Sequence, residues 1–353
     1  MLIQSQSQMR ACNTQIFVLE HYLRIATGNP KSWLSALQVL TGSPRLSQEV
    51  KVSPGCADFD SRLSFLKAEN VNVCGIYLRS ASSIVGSNAG IATIIMPVQG
   101  SVDFEVEGRH FCCTPGVPFA LKPNAEFRAR LSSEVHLFIV QISETIWINA
   151  NDSLENGDAQ LAKILNSYLL ETPFFRDHHH AKQRIRCFEE VLARYLAGER
   201  SAASTVQNKV LIGEDRRICT ALEQINDRLA TDIELETIAR DAGLSLRNFY
   251  YLMKKYTGMT PYNYCLSRRL VKVRESLICC YREEPGVGNH ALKWGFNHAG
   301  RFSSYYYDHF GEYPSDTIQG LEVLKRNSAK VASVSTGASG QKTLWYTSAD
   351  SSS

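Results

Sequence analysis

Near the C-terminal end, Arg247, Asn248, Tyr250, Tyr251 and Lys254 have residue types and spacing suited to reading DNA. They share the stretch LRNFYYLMKKYT with Phe249, Leu252, Met253 and Tyr256, which fall on the opposite side at helical spacing. Arginine can bond a guanine edge through two hydrogen bonds and asparagine an adenine edge, while tyrosine can meet a phosphate or a thymine methyl. Ser245 stands where it can cap this helix. Gly243 supplies the positive φ of a tight turn. Before the turn, Leu235, Ile238, Ala239 and Ala242 mark the buried face of a shorter helix. Helix, glycine turn, helix is the arrangement whose second helix enters a major groove.

The pattern recurs in HALKWGFNHAGRFSSYYYDHFG, with Gly295 as the turn and Phe302, Tyr306, His309 and Phe310 as the buried face. Its outward positions are His298, Ala299, Gly300, Arg301, Ser303 and Ser304. Small side chains there offer few base-edge bonds, so the first motif is expected to read sequence and the second to hold phosphates. The two turn glycines are 52 residues apart. Between them, after Pro261, Leu266, Leu270, Val273 and Leu277 trace an amphipathic helix to about Cys279. It spans roughly 27 Å, a little under the ~34 Å of one DNA turn, so the motifs can address successive grooves on one face. From Arg240 to Arg282 nine cations stand against two carboxylates, and Arg268 and Lys272 are expected to contact phosphates.

The elements IARDAGLS, KKYTGMTPYNY, SRRL, ALKWGFNHAGRFSSYY and FGEYPS, from Arg216 to Ile318, resemble the paired helix-turn-helix domain of AraC/XylS-type transcription regulators. The resemblance implies that base contacts sit near the start of the first recognition helix, at Arg247, Tyr250 and Tyr251. His290, where the family usually has an aliphatic residue, and Gly288, where it often has a capping Ser or Thr, depart from the pattern. The family also implies a cupin-like sensory domain upstream. GRHFCCTPGVPFALKP resembles the turn region of such barrels.

These helices occupy a minor part of a chain of 353 residues, long enough for two domains. A hydrophobic content of 44% and a net charge of +3 suit a soluble globular protein without proving a nucleic-acid partner. Strands are expected at Val73–Leu78, Ile91–Val98, Val102–Val106, His110–Cys113, Val117–Leu121, Phe127–Leu131 and His136–Ile142, punctuated by Gly and Pro turns. Such short strands argue for a sandwich or barrel. Helices are expected at Gln15–Ile25, Trp33–Leu40, Asp158–Leu170 and Lys182–Leu196. The expected fold class is multi-domain α+β: a cupin-like β-barrel, helices, then an all-α double helix-turn-helix domain. The expected boundaries are an N-terminal extension at 1–50, a sensory domain at 51–145, a helical dimerisation segment and linker at 146–213, a DNA-binding domain at 214–320 and a disordered tail at 321–353. Ile185, Phe188, Val191, Leu192 and Tyr195 form a stripe that suits either core packing or, as the resemblance implies, pairing of two subunits.

For an effector, the strands supply Ile94, Met96, Phe104, Phe111, Phe119, Phe127, Leu137 and Ile139 as an apolar interior. Arg79, Lys122, Arg128 and Arg130 are the cations available to an acid, and His110 and His136 could orient a neutral ligand. Metal-bearing barrels need an H-x-H pair, which this stretch lacks, and no phosphate loop or nucleophile elbow occurs, so no catalysis, metal or cofactor is expected. His178-His179-His180 reads as a polar loop or an adventitious metal site. Ten scattered cysteines without a CxxC, no apolar run of membrane length and an N-terminal stretch unlike a secretory signal point to a cytoplasmic protein. The adjacent pairs Cys112-Cys113 and Cys279-Cys280 suit buried positions or oxidant sensing.

The expected function is a DNA-binding transcription regulator, an activator, responding to a small-molecule effector. The resemblance implies promoter DNA, RNA polymerase, a second subunit and an aromatic or other organic acid as partners. The alternative is a small-molecule-binding or catalytic barrel with an appended DNA tether.

Overall fold

The computed structural model describes residues 17–50, 59–88, 90–147, 157–199, 215–280, 283 and 286–334. Its strands form two antiparallel sheets. One has the order β1 (Leu23–Thr27), β3 (Ser61–Lys67), β4 (Val71–Leu78), β11 (Val135–Ile142), β6 (Ala92–Gln99) and β9 (Phe119–Leu121). The other runs β2 (Ser47–Val50), β5 (Ser82–Ser87), β10 (Glu126–Leu131), β7 (Val102–Val106) and β8 (Arg109–Cys113). The fold is cupin-like, but the sheets share a core without closing into the expected barrel. The outer edge of β1 is instead taken up by helices of the C-terminal half.

Every residue of β11 is buried, because the larger sheet is covered on both faces. Leu137 and Ile139 enter the core between the sheets with Phe104 and Phe119, whose rings stack 4.4 Å apart, and Phe111 and Phe127 pack against it. Phe138 and Val140 face the other way, beneath helices α3 (Ala159–Glu171) and α4 (His178–Leu196). Ile94 and Met96 join that outer core, while their neighbour Ile95 points between the sheets. The expectation that Ile94 and Met96 face the interior is therefore reversed.

The N-terminal extension is part of the fold. Leu23 and Ile25 alternate into the core as a strand, where a helix was expected over Gln15–Ile25. Helix α1 (Pro30–Thr41) follows, capped by Asn29, whose Oδ1 accepts from the Lys31 and Ser32 amides. The crossing of the N-terminal segment over β4 requires Gly75: a Cβ there would lie 2.4 Å from the Val18 carbonyl oxygen and 2.5 Å from Ser64 Oγ.

The stripe on α4 is core packing. Ile185, Phe188 and Leu192 are buried against the larger sheet and α3, and Val191 and Tyr195 pack beside them, so the stripe is not a free face for a second subunit. His178–His180 form the first turn of α4 rather than a loop, with Asp177 accepting from the His180 amide at 2.7 Å. A short helix α2 (Glu144–Trp147) precedes α3.

The C-terminal half is α5 (Arg216–Asp227), α6 (Leu235–Asp241), α7 (Leu246–Thr257), α8 (Pro261–Cys280), α9 (Val287–Lys293), α10 (Ala299–Phe310) and α11 (Pro314–Val334). Leu321 and Leu324 of α11 are buried near α1, which corrects the expected start of a disordered tail at 321. Residues 335–353 lie outside the described ones. Among the described residues no helix is long and apolar enough to cross a membrane. All eight described cysteines are free, Cys12 and Cys56 lying outside that set. Cys113 is buried, whereas Cys112 and Cys279 are exposed.

Candidate nucleic-acid interface

The two helix pairs are copies in register. Phe249 and Phe302, Met253 and Tyr306, and the C-capping glycines Gly258 and Gly311, both at φ 72°, are each separated by 53 residues. The turn glycines Gly243 and Gly295 are 52 apart, so the second turn is one residue longer. The cap differs accordingly. Ser245 Oγ accepts from the Asn248 amide at 3.3 Å, whereas His298 at the corresponding start of α10 makes no side-chain cap.

Phe249 and Met253 seat α7 in a compact core with Ile218, Ile225 and Ile238. The opposite face presents Arg247, Tyr250, Tyr251 and Lys254, with Tyr251 64% exposed. Asn248 is half-buried beside them. On α10, Phe302, Tyr306 and Phe310 enter a separate core with Leu270, Val273 and Leu277 of α8. Arg301, Ser304 and Tyr305 face outward, His298 is exposed at the helix start and Ser303 is half-buried. In the 53-residue register Arg247 corresponds to Gly300, Tyr250 to Ser303 and Tyr251 to Ser304. The second face therefore carries small residues where the first has Arg247, Tyr250 and Tyr251.

The connecting helix departs from expectation. Arg268 is 3% exposed and pairs with Glu20, its Nη2 donating to Oε2 at 3.1 Å while Nε donates to Asn226 at 2.9 Å. Burial opposes its charge, but the Glu20 carboxylate outweighs that and raises the guanidinium pKa. Arg274 is 1% exposed, donates to the Leu23 carbonyl at 3.1 Å and lies 2.7 Å from Glu312. Burial alone would raise the Glu312 carboxyl, yet Arg274 and Arg24 hold it well below the usual range. Lys272 pairs with Glu275 at 2.8 Å, and Glu275 also accepts from Arg62 of β3. Arg269 donates to the carbonyls of Leu229 and Thr231. Arg268 is thus withdrawn from any phosphate in this arrangement, and Lys272 is engaged by a carboxylate. Part of the dense positive run of the sequence is engaged in docking the two halves.

A shallow cleft of about 390 Å³ separates the two motifs, lined by Tyr262, Arg269, His298, Arg301 and Tyr305 among others. Tyr262 and Tyr305 are exposed and were not anticipated. Tyr305 follows Arg301 by one helical turn, a spacing that would have found it.

The expected effector residues do not converge. Arg79 is exposed and pairs with Asp60 at 3.0 Å and Glu134 at 3.7 Å. His110 and Arg130 are exposed on the smaller sheet, with Arg128 half-buried two residues from Arg130. His136 is buried on the larger sheet, stacked on Phe17 with ring centroids 5.2 Å apart, and its Nε2 accepts from the Val18 amide at 3.0 Å. Burial lowers its pKa to about 4, consistent with a neutral ring used in packing. Among the described residues no group of three metal-ligating side chains occurs.

Comparison with known proteins agrees with this architecture. The AraC-binding-like domain profile matches residues 23–198 and a helix-turn-helix domain profile matches residues 238–320. XylDLEGF operon transcriptional activator 2 of Pseudomonas putida is 33% identical over 133 residues, covering 38% of this chain and 84% of that protein. This chain belongs to the AraC/XylS family of transcription regulators. XylDLEGF operon transcriptional activator 1 of the same organism is 25% identical over 223 residues, 60% of this chain and 70% of the relative. The solved AraC-like transcriptional activator CuxR is similar over 75% of this chain and 96% of its own, with 17% identity and a TM-score of 0.33. The family member described here joins an N-terminal ligand-binding-type domain to a C-terminal DNA-binding domain.

Proposed function

We propose that this regulator binds promoter DNA chiefly through α7, with Arg247, Tyr250 and Tyr251 reading bases and α10 fixing register. The observation that carries this reading is the pair of exposed helix faces at the ends of α8, whose 20 residues span about 30 Å, close to one DNA turn. Transcription activation belongs to the same reading, supported by relatives named as activators, and the reading extends to RNA polymerase as partner, a homodimeric state and a cytoplasmic location. Catalysis plays no part in it. The effector is a small molecule taken up by the N-terminal half. The experiment is genome-wide DNA occupancy followed by footprinting of the bound sites. Two protected major-groove segments about one turn apart on one face are expected. Protection with no such spacing overturns the two-motif reading.

A further inference from the structure

The two halves meet over a buried cluster in which two imidazoles share one hydroxyl. His21 comes from the 3-10 turn Glu20–Tyr22 ahead of β1, Ser267 from α8 and His309 from the last turn of α10, and all three are buried. The ring centroids lie 5.2 Å apart, and Ser267 Oγ stands 3.5 Å from Nε2 of His21 and 3.3 Å from Nε2 of His309. Their partners fix the protons. His309 Nδ1 lies 3.0 Å from the Arg176 carbonyl, which can only accept, so Nδ1 carries the hydrogen and Nε2 is the acceptor. The Ser267 hydroxyl donates its one hydrogen there, which leaves its oxygen to accept from Nε2–H of His21. A chain thus runs from His21 through Ser267 and His309 to Arg176, crossing twice between the halves, with both rings neutral. His21 Nδ1 is left bare, buried without a hydrogen-bond partner. The charged groups around the chain are committed to one another. Arg268 and Arg274 of α8 flank it; Glu20 answers the first, and Glu312, beyond α10, answers the second together with Arg24. Ahead of α4, Asp177 caps the His180 amide, and His178 Nδ1 lies 3.4 Å from the Tyr22 hydroxyl. Burial, then His309, Arg268 and Arg274, hold His21 well below the ordinary 6.5, against a smaller pull from the Phe175 carbonyl. Burial lowers His309 to about 4. A proton added at His309 Nε2 would also displace the Ser267 hydrogen and break the chain.

We propose that this chain is a proton-sensitive latch between the halves, closed while both imidazoles are neutral and opened when acid protonates them. Such a latch goes beyond the regulator reading, since it concerns how the halves are held and not what they bind. Separation brings both rings into water, where each takes up a proton near its ordinary pKa. The docked form binds fewer protons, so docking is unaffected above pH 6.5 and weakens as the pH falls below it. At about pH 5 each ring shifts the balance toward the open form by about thirtyfold. Acid is then a signal to the DNA-binding half that needs no bound small molecule.

The test follows the full-length protein by small-angle X-ray scattering, each variant held just below the urea concentration at which it first expands at about pH 7.5. Acidification to about pH 5 is expected to expand the wild type. His21→Gln combined with His309→Asn keeps a donor toward Ser267 and toward the Arg176 carbonyl but cannot take up a proton. That double variant should stay compact over the same range. His180→Gln removes a neighbouring ring outside the chain and should expand as the wild type does. Histidine ring nitrogen shifts of the wild type are recorded alongside, and two rings should gain protons as the particle expands. The latch is refuted if the wild type stays compact to about pH 5, if the double variant expands with it, or if His180→Gln abolishes the response. Should the double variant be open at about pH 7.5 even without urea, the ring shifts decide. Expansion of the wild type with both rings protonating supports the latch, and expansion with both still neutral overturns it.

Discussion

Replacing Glu20 by alanine isolates a buried ion pair between the two halves. Glu20 sits in a 3-10 turn ahead of β1, and Arg268 is in the middle of α8. Removing the carboxylate leaves a guanidinium that is 3% exposed with Asn226 as its remaining side-chain partner. Breaking a buried ion pair in this way costs about 3–5 kcal/mol, most of it the uncompensated charge. Neither half needs Glu20 for its own core, so the protein can avoid the penalty by undocking and letting water reach Arg268. The loss is then capped by the docking free energy, to which Arg24–Glu312, Arg62–Glu275 and the burial of Ile278, Leu321 and Leu324 still contribute. Glu20→Ala should therefore split or broaden the thermal transition, expand the particle in small-angle X-ray scattering and accelerate limited proteolysis. Glu20→Met with Arg268→Met restores an apolar contact and should recover most of the loss. A single unchanged transition with unchanged scattering in Glu20→Ala would refute the docking role of the pair.

Three further outcomes are expected. Arg247→Ala should cost roughly 1–3 kcal/mol on the operator and relax preference at one base position; equal losses on random DNA would remove it from the reading set. Burial sets the pKa of His136 and His309 at about 4, against an ordinary 6.5, so between those values the unfolded chain binds more protons than the native one. Stability should then be flat above pH 6.5 and fall as pH drops toward 4, by up to about 3 kcal/mol per histidine, and His136→Gln should flatten that acid limb in equilibrium urea titrations. Gly75→Ala should lose about 1–3 kcal/mol by forcing its Cβ against the Val18 carbonyl; an unchanged urea midpoint would show that the N-terminal segment does not cross β4 as described.

The C-terminal half was legible because its signals are local. Capping Ser245, the glycine turns and the 3.6-residue spacing of Phe249, Met253 and Tyr256 lie within a few turns of chain. Strands such as Val102–Val106 alternate and were found at their observed limits. The strand Ser82–Ser87 was not, since its serines are buried by pairing with β2 and β10, information held elsewhere in the sequence. The first strand read as a helix because Leu19, Tyr22 and Leu23 also satisfy helical spacing. The expected effector residues lie apart for a related reason. A cation on a strand can face the core or solvent, and partners such as Asp60 and Glu134 for Arg79 become visible only once the sheets are assembled.

Arg268 and Lys272 show how one helix can carry two incompatible duties. Their spacing suits a phosphate-contacting face, and charge alone cannot tell that face from a docking face, since both need arginine on an amphipathic helix. The distinction comes from Glu20 and Glu312, which reach α8 from before and after it in sequence, and from Glu275 on the helix itself. Carboxylates at those positions hold the basic helix against β1 and compete with phosphate for the same guanidinium groups. DNA that engaged Arg268 would have to displace Glu20, so docking and that contact exclude each other. Arg247 and Tyr251 are exposed in the docked arrangement. The docked protein therefore exposes the helix proposed to read bases while Arg268 stays paired with Glu20. Under the proposed function, DNA affinity would then depend on the interface between the halves, and a change in that interface would alter affinity without altering the bases read.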